Sequence, residues 1–183
     1  AKAFGTPVLI NANIRDGSLR QAAAEQGIPM LLYEAGEALR FDEVSIRAGV
    51  KGIINVMRAL EMLPASRKKK KPYKPVIARA SNWVRSSESG ILRAMVALGA
   101  QVEKDSLLGV VADPFGEREV EIRSPYKGII VGRNNLPLVH QGEALFHLAR
   151  FQKLDAAMAL VEEFHEQHEP EPEYPTGPEG PIL

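Results

Sequence analysis

The sequence predicts an α/β layer followed by a small all-β barrel. Residues 7–12 and 30–33 are short apolar runs on either side of a helix signal, the strand–turn–helix–strand order of an α/β layer. Beyond residue 75 the apolar positions change to period two. Val120 and Ile122 alternate there with Glu119, Glu121 and Arg123, and Gly99, Gly109, Gly116, Gly128, Gly132 and Gly142 fall between short strands. A weak repeat inside this second part sets Val102, Asp105 and Leu108 against Val139, Gly142 and Leu145 at one constant offset. Such an offset fits two stacked half-barrels related by a pseudo-twofold.

The elements follow in order. Residues 7–12 read as a buried strand, and Asp16-Gly17 as a turn. Ser18-Leu19-Arg20-Gln21 is a capping box: the Ser18 hydroxyl accepts from the Gln21 amide, and Gln21 reaches back. Ala22, Ala23 and Ala24 carry the helix, Gly27 suits the left-handed position just past its end, and Pro29 follows. Met30 to Tyr33 is a second apolar strand that ends at Glu34-Ala35-Gly36. Ile46, Val50, Ile53, Ile54, Met57 and Leu60 make one helical stripe, so a helix is expected over 43–62, stopped by Pro64. Residues 64–75 combine prolines with a basic run from Arg67 to Lys71 and read as a linker. After the β part, Leu154, Ala157, Met158, Val161 and Phe164 give a last amphipathic helix. The tail beyond His168 is acidic and rich in proline, which favours an extended or mobile chain. The expected division is therefore 1–63, linker 64–75, β-barrel 76–150, helix 151–168 and tail 169–183.

Composition narrows the function classes. Lys+Arg and Asp+Glu are both 23, so no net charge favours a polyanion partner. With no Cys there is no disulfide, thiolate metal site or Cys nucleophile, which fits a reducing compartment. No apolar run approaches the roughly 18 residues of a membrane span. No signal-peptide pattern opens the chain. The expectation is a cytoplasmic protein with no nucleic-acid or membrane partner. The chain opens on Ala1 without an initiator Met, which suggests a piece of something longer.

Two residues stand out for chemistry. Glu34 ends an apolar strand, where ligands gather in α/β sheets, and a carboxylate there can take a proton from water and return it to a leaving amine. The same position also suits a carboxylate that only faces solvent. Arg20 lies in the first turn of a capped helix, against the helix dipole, so it is either an anion clamp with the free amides or a solvated helix residue. The four histidines make no metal motif. His165-Glu166-Gln167-His168 has i, i+3 spacing where a zinc-protease helix needs i, i+4, and His140 and His147 have no evident second ligand and are expected to pack or face solvent. The basic linker lacks interleaved aromatics and reads as solvated.

Taken together these residues resemble the succinylglutamate desuccinylase/aspartoacylase family, relatives of the zinc carboxypeptidases. Asp16 to Arg20, Gly27-Ile28-Pro29 and Leu31 to Gly36 are similar to the family's stretch leading to its catalytic Glu. Val102-Glu103-Lys104, Ser124 to Gly128 and His140 to Glu143 are similar to the β domain that follows. The resemblance covers about residues 1–150. It implies a partial zinc-carboxypeptidase-like α/β sheet, then a barrel like a biotinyl/lipoyl domain. It also implies zinc-dependent hydrolysis of the amide or ester bond of a small N-acyl amino acid. Glu34 matches the general base/acid, and Arg20 falls where relatives face the substrate side chain. The family's zinc ligands, an H-x-x-E pair and a later His, have no counterpart here, because no His precedes position 140. The expectation is thus the C-terminal portion of a longer zinc enzyme, with this chain alone inactive and binding no zinc, since activating the water is the metal's task. In biotinyl/lipoyl domains a hairpin Lys carries the cofactor. Glu117 stands at that position and cannot form the amide link, so no such group is expected.

A non-catalytic binding or oligomerisation module is the alternative. In either case a cut sheet leaves the edge at 7–12 and the apolar face of the 43–62 helix without partners, so a homo-oligomer or a loosened α/β half is expected.

Overall fold

The computed structural model describes residues 1–66, 74–152 and 154–168; the basic run 67–71 and the tail 169–183 lie outside the described residues. Strand β1 (Val8–Ile10) is followed by helix α1 (Leu19–Glu25), helix α2 (Glu43–Ala59) and strand β2 (Val76–Ala78). β1 and β2 pair in parallel, Val8 opposite Val76 and Ile10 opposite Ala78, with both helices in the crossover. Parallel strands need such a crossover.

The capping box forms. Ser18 Oγ accepts from the Gln21 amide at 3.2 Å, while the Gln21 side-chain oxygen accepts from Gly17 N–H at 2.6 Å, one residue before the expected donor. α1 ends with Gly27 at φ 69°, Ile28 N–H donating to Ala23 O at 2.9 Å and Gly27 N–H to Ala24 O at 2.9 Å, the paired bonds of a left-handed helix stop. α2 is capped by Asp42, whose carboxylate accepts from Ser45 N–H at 2.7 Å. That bond, with the Ser45 side chain and nearby His165, holds Asp42 below the usual carboxylate range.

Three expectations for this part do not survive. The strand expected buried over 7–12 spans only Val8–Ile10, and none of its residues is buried. Residues 30–33 form no strand, and Leu31 and Leu32 are 52% and 58% exposed. The run has strand composition, but among the described residues no third strand lies beside β1–β2 to complete a ladder. The apolar stripe of α2 is also not its buried face: Ile46, Val50, Ile53 and Leu60 are exposed, and the buried positions are Ala48, Gly49 and Gly52. Small residues let aromatic rings lie flat on the helix. Tyr33 sits over Gly49, Phe4 lies directly on Gly52, and the two rings are 5.2 Å apart.

The second part holds eight strands: β3 (Ala80–Arg85), β4 (Gly90–Ala94), β5 (Gln101–Val102), β6 (Leu107–Ala112), β7 (Glu119–Arg123), β8 (Gly128–Arg133), β9 (Leu138–Val139) and β10 (Ala144–Arg150). They form two four-stranded antiparallel sheets, ordered β3-β10-β8-β5 and β7-β6-β4-β9. The expected barrel is therefore corrected to an open two-sheet sandwich, since among the described residues no sheet closes on itself. Closure needs a continuous ladder around the rim. Here each sheet ends on a two-residue strand, β5 or β9, too short to bridge to the other sheet. The chain instead passes from sheet to sheet, and Leu92, Leu108, Val111, Ile122, Ile130, Leu145, Phe146 and Leu148 meet in one core.

The repeat read in the sequence is structural. Exchanging β3 with β7, β4 with β8, β5 with β9 and β6 with β10 turns one strand order into the other. Val102 and Val139 are buried on β5 and β9, and Leu108 and Leu145 are fully buried. Asp105 and Gly142 share a left-handed φ of 65° and 83°. Their N–H groups donate to Ser124 O and Ser86 O, each at 2.8 Å, and both serines are buried.

Helix α3 (Leu154–His168) packs with β2 on the outer face of the first sheet, where Ile129, Leu154 and Ala157 form a second apolar cluster with Val76, Val131 and Met158. It also contacts α2: Lys51 Nζ lies 3.1 Å from His168 Nε2. Among the described residues no helix is long and apolar enough to cross a membrane.

Candidate functional site

Glu34 is placed by its neighbours. The Tyr33 hydroxyl donates to Ser45 O at 2.9 Å while its ring covers Gly49, so the preceding residue is pinned to α2. Burial raises the Tyr33 phenol above its ordinary value, with the Asp42 charge adding to the effect. Two residues on, Gly36 takes φ 75° and lies against Asp42 and Ser45. Glu34 is thus held on both sides by the first turn of α2, and it is exposed.

His147 on β10 points out of the sandwich, opposite its fully buried neighbours Phe146 and Leu148. It pairs across strands with Trp83 on β3 and Gly132 on β8. The Trp83 and His147 rings stack at 4.7 Å and 11°. Burial pushes the imidazole below its ordinary value, the Glu34 carboxylate pulls it up, and the Arg15 guanidinium pushes it down. Arg15 is fixed by the helix cap, since Ser18 Oγ donates to its carbonyl at 2.6 Å.

Arg20 stands in the first turn of α1, half-buried, and makes no salt bridge among the described residues. Among the described residues no salt bridge joins it to Glu34. Sequence reasoning expects His147 to pack or face solvent and does not single out Arg15. The signal available was a histidine between the apolar residues Phe146 and Leu148 of one strand, where alternation turns it outward. Glu117 is exposed on the β6–β7 hairpin, where its N–H donates to the Asp113 carboxylate at 3.2 Å. Among the described residues no group of three or more His, Asp or Glu could hold a metal ion. The described residues therefore do not fit a zinc site by themselves.

No family model matches the sequence, and no curated protein matches it. Solved structures do. The apo ectoine utilization protein EutE (DoeB) from Ruegeria pomeroyi matches with a TM-score of 0.72 at 24% identity, over 81% of this chain and 48% of that one. A succinylglutamate desuccinylase from a Silicibacter species matches at 0.68 and 22%, over 81% and 47%. An aspartoacylase family protein from Mesorhizobium loti matches at 0.60 and 24%, over 83% and 46%. The chain has the succinylglutamate desuccinylase fold. It spans about half the length of the structures it matches.

Proposed function

We propose that this chain supplies the Glu34-bearing half of a deacylase that cleaves the amide or ester bond of a small N-acyl amino acid. The observation that carries this reading is the match of most of the chain to structures named desuccinylase and aspartoacylase. In this reading Glu34 takes a proton from the attacking water and returns it to the leaving amine, a role for which an exposed carboxylate pinned at both flanks is suited. Arg20 faces the substrate side chain and favours an anionic substrate. A zinc ion, implied for the whole enzyme by the resemblance, would supply a water of lowered pKa. Its ligands are not among the described residues of this chain. The steps assigned here are those of Glu34 and Arg20 alone, and this chain by itself is expected to be inactive.

The test is Glu34→Gln in the full gene product, assayed on N-succinyl-L-glutamate and N-acetyl-L-aspartate. A general acid/base contributes about 10²–10⁴-fold, and a loss of that size in kcat is expected. Near-unchanged turnover removes Glu34 from the mechanism.

A second reading, a non-catalytic binding or oligomerisation module, is favoured by one observation: Leu31, Leu32, Val50 and Ile53 are all more than half exposed in the α/β part. An apolar face of this kind marks an interaction surface.

A further inference from the structure

We propose that the β6–β7 hairpin of one copy of this chain docks, tip first, in the cleft between β10 and α3 of a second copy, with Phe115 as the anchor and Glu117 meeting Arg150. The contact uses none of the residues assigned to the Glu34 site and does not depend on the reading given above.

The tip is rigid, and it holds an aromatic ring in water. Asp113 Oδ1 accepts from the N–H groups of Phe115 at 2.8 Å and Glu117 at 3.2 Å. Gly116 N–H donates to Asp113 O at 3.2 Å, and Asp113 N–H to Arg118 O at 3.0 Å. Arg118 is tied in turn to Glu88 at 2.9 Å. Gly116, at φ 74°, takes the left-handed conformation that closes the turn. A loop bonded at so many points has little freedom to fold its side chain back, and Phe115 stays 87% exposed. Fixed aromatic groups make good interface anchors, because they have little freedom left to lose on binding. Glu117 beside it is exposed and makes no salt bridge among the described residues.

The same chain carries a receptor of matching chemistry. Lys127, Arg150, Phe151, Leu154 and Asp155 line a cleft of about 600 Å³ where β10 ends and α3 begins. Part of the lining is apolar: Leu154 belongs to the cluster under α3, and the half-buried Phe151 packs against that cluster. The two cations differ. Lys127 Nζ is paired with Glu103 at 2.6 Å. Arg150 has no salt bridge among the described residues, and its guanidinium lies 4.5 Å from the centre of the Tyr126 ring. Tyr126 is itself fixed, since its hydroxyl donates to Leu148 O at 3.1 Å. The ring takes one face of the guanidinium and leaves the N–H edge for an acceptor.

These features select the occupant. Asp155 also lines the cleft, so a small free anion gains little there. A carboxylate delivered beside an apolar anchor gains the ion pair and the burial of the ring together. The hairpin tip offers both, and the exposure of Phe115 shows that it does not fill the cleft of its own chain. A tip in a cleft joins unlike surfaces, so the association is head-to-tail. One hairpin is a small contact beside the about 1,200 Å² of a stable interface, which makes the association weak and reversible.

The test is sedimentation velocity of the 183-residue chain over a concentration series, with circular dichroism to check that each variant is folded. The parent is expected to self-associate. Phe115→Ser leaves every hydrogen bond of the tip in place and is expected to weaken association about tenfold or more. Glu117→Arg and Arg150→Glu each put like charges together and are expected to weaken it severalfold. This effect shrinks at about 1 M salt, where the screening length falls to about 3 Å. The double variant Glu117→Arg, Arg150→Glu restores the pair in reverse and is expected to recover association. An equimolar mixture of the two single variants associates where neither does alone. Arg150→Gln serves if the Glu variant fails to fold, and is expected to weaken association less. Association through the exposed face of α2 would show none of this dependence. A monomeric parent at all concentrations, association unchanged in Phe115→Ser, or no recovery in both the double variant and the mixture overturns the proposal.

Discussion

Gly90 and Gly128 occupy equivalent places in the two halves of the sandwich. A Cβ built on Gly90 meets the backbone carbonyl oxygen of Ala112, and one on Gly128 meets that of Ala149. Side chains stand close as well, with Val111 Cγ1 at 3.0 Å from the first position and Leu148 Cδ1 at 3.1 Å from the second. Without these contacts, replacing a strand glycine by alanine would stabilise by about 0.5–1 kcal/mol through the unfolded chain. Overpacking a core costs about 1–3 kcal/mol, and the upper end applies because the obstructing atom is backbone and cannot rotate away. The net expectation for Gly90→Ala or Gly128→Ala is a loss of about 2 kcal/mol. At about 4–8 °C per kcal/mol for a domain of this size, the melting temperature should fall by about 10 °C. Thermal unfolding followed by near-UV circular dichroism reads this, because Trp83 lies in the sandwich. Gly132→Ala is the contrast: the nearest atoms, His147 Cβ at 3.2 Å and the Trp83 ring at 3.5 Å, need give way by only a few tenths of an ångström, so stability should change by less than about 1 kcal/mol while Trp83 emission shifts. An unchanged or raised melting temperature in Gly90→Ala and Gly128→Ala would show that the two sheets are not locked at these corners.

Other outcomes follow from the same geometry. Asp42→Ala removes the acceptor of Ser45 N–H and should cost about 0.5–2 kcal/mol, seen as lost helical circular dichroism at lower temperature, with Asp42→Asn recovering most of it. His147 is held below its ordinary value of 6.5, so the folded state binds fewer protons than the unfolded chain. Its contribution to stability is complete above pH 6.5 and is lost as pH falls through that value toward the lower folded one. A protonated imidazole quenches a stacked indole, so Trp83 emission should fall with a midpoint below 6.5; Glu34→Gln should move the midpoint further down and Arg15→Gln up. Identical midpoints in all three proteins would separate His147 from both charges. The exposed apolar face of the α/β part should drive concentration-dependent self-association in sedimentation velocity, reduced in Val50→Lys and Ile53→Lys. A monomer at all concentrations would count against it.

Local signals were the legible ones. The Ser18 cap, the Gly27 stop and the bounds of α2 depend on neighbours within a turn, and all three stand in the structure within a few residues of expectation. The duplication was legible because Val102, Asp105 and Leu108 each need a residue of one kind, buried or left-handed, at a fixed place in both halves. Partnership was not legible. Met30 to Tyr33 has the composition of a strand, but a strand also needs an edge to join, and no local pattern reports whether one exists. The α2 stripe misled for the same reason: helical spacing finds an apolar face, whereas the aromatics Phe4 and Tyr33 chose the glycine face. Closure of the β part depends on the length of β5 and β9, which alternation alone does not fix. Glu34 was chosen for its place at the end of an apolar run. The stack of His147 on Trp83 was not legible, because it exists only once β3 and β10 pair.

The twofold arrangement of the sandwich makes two of its corners equivalent. At one, β6 turns into β7 through the Asp113–Arg118 hairpin, where Asp113 N–H donates to Arg118 O at 3.0 Å. At the other, the chain arrives before β3 and departs after β10, and Arg79 N–H donates to Arg150 O, also at 3.0 Å. One corner is a covalent loop and the other holds the loose ends of the same geometry. A circular permutant cut at the hairpin and sealed between Arg150 and Arg79 would thread the same eight strands in rotated order. Its new termini would then lie in the Asp113–Arg118 hairpin.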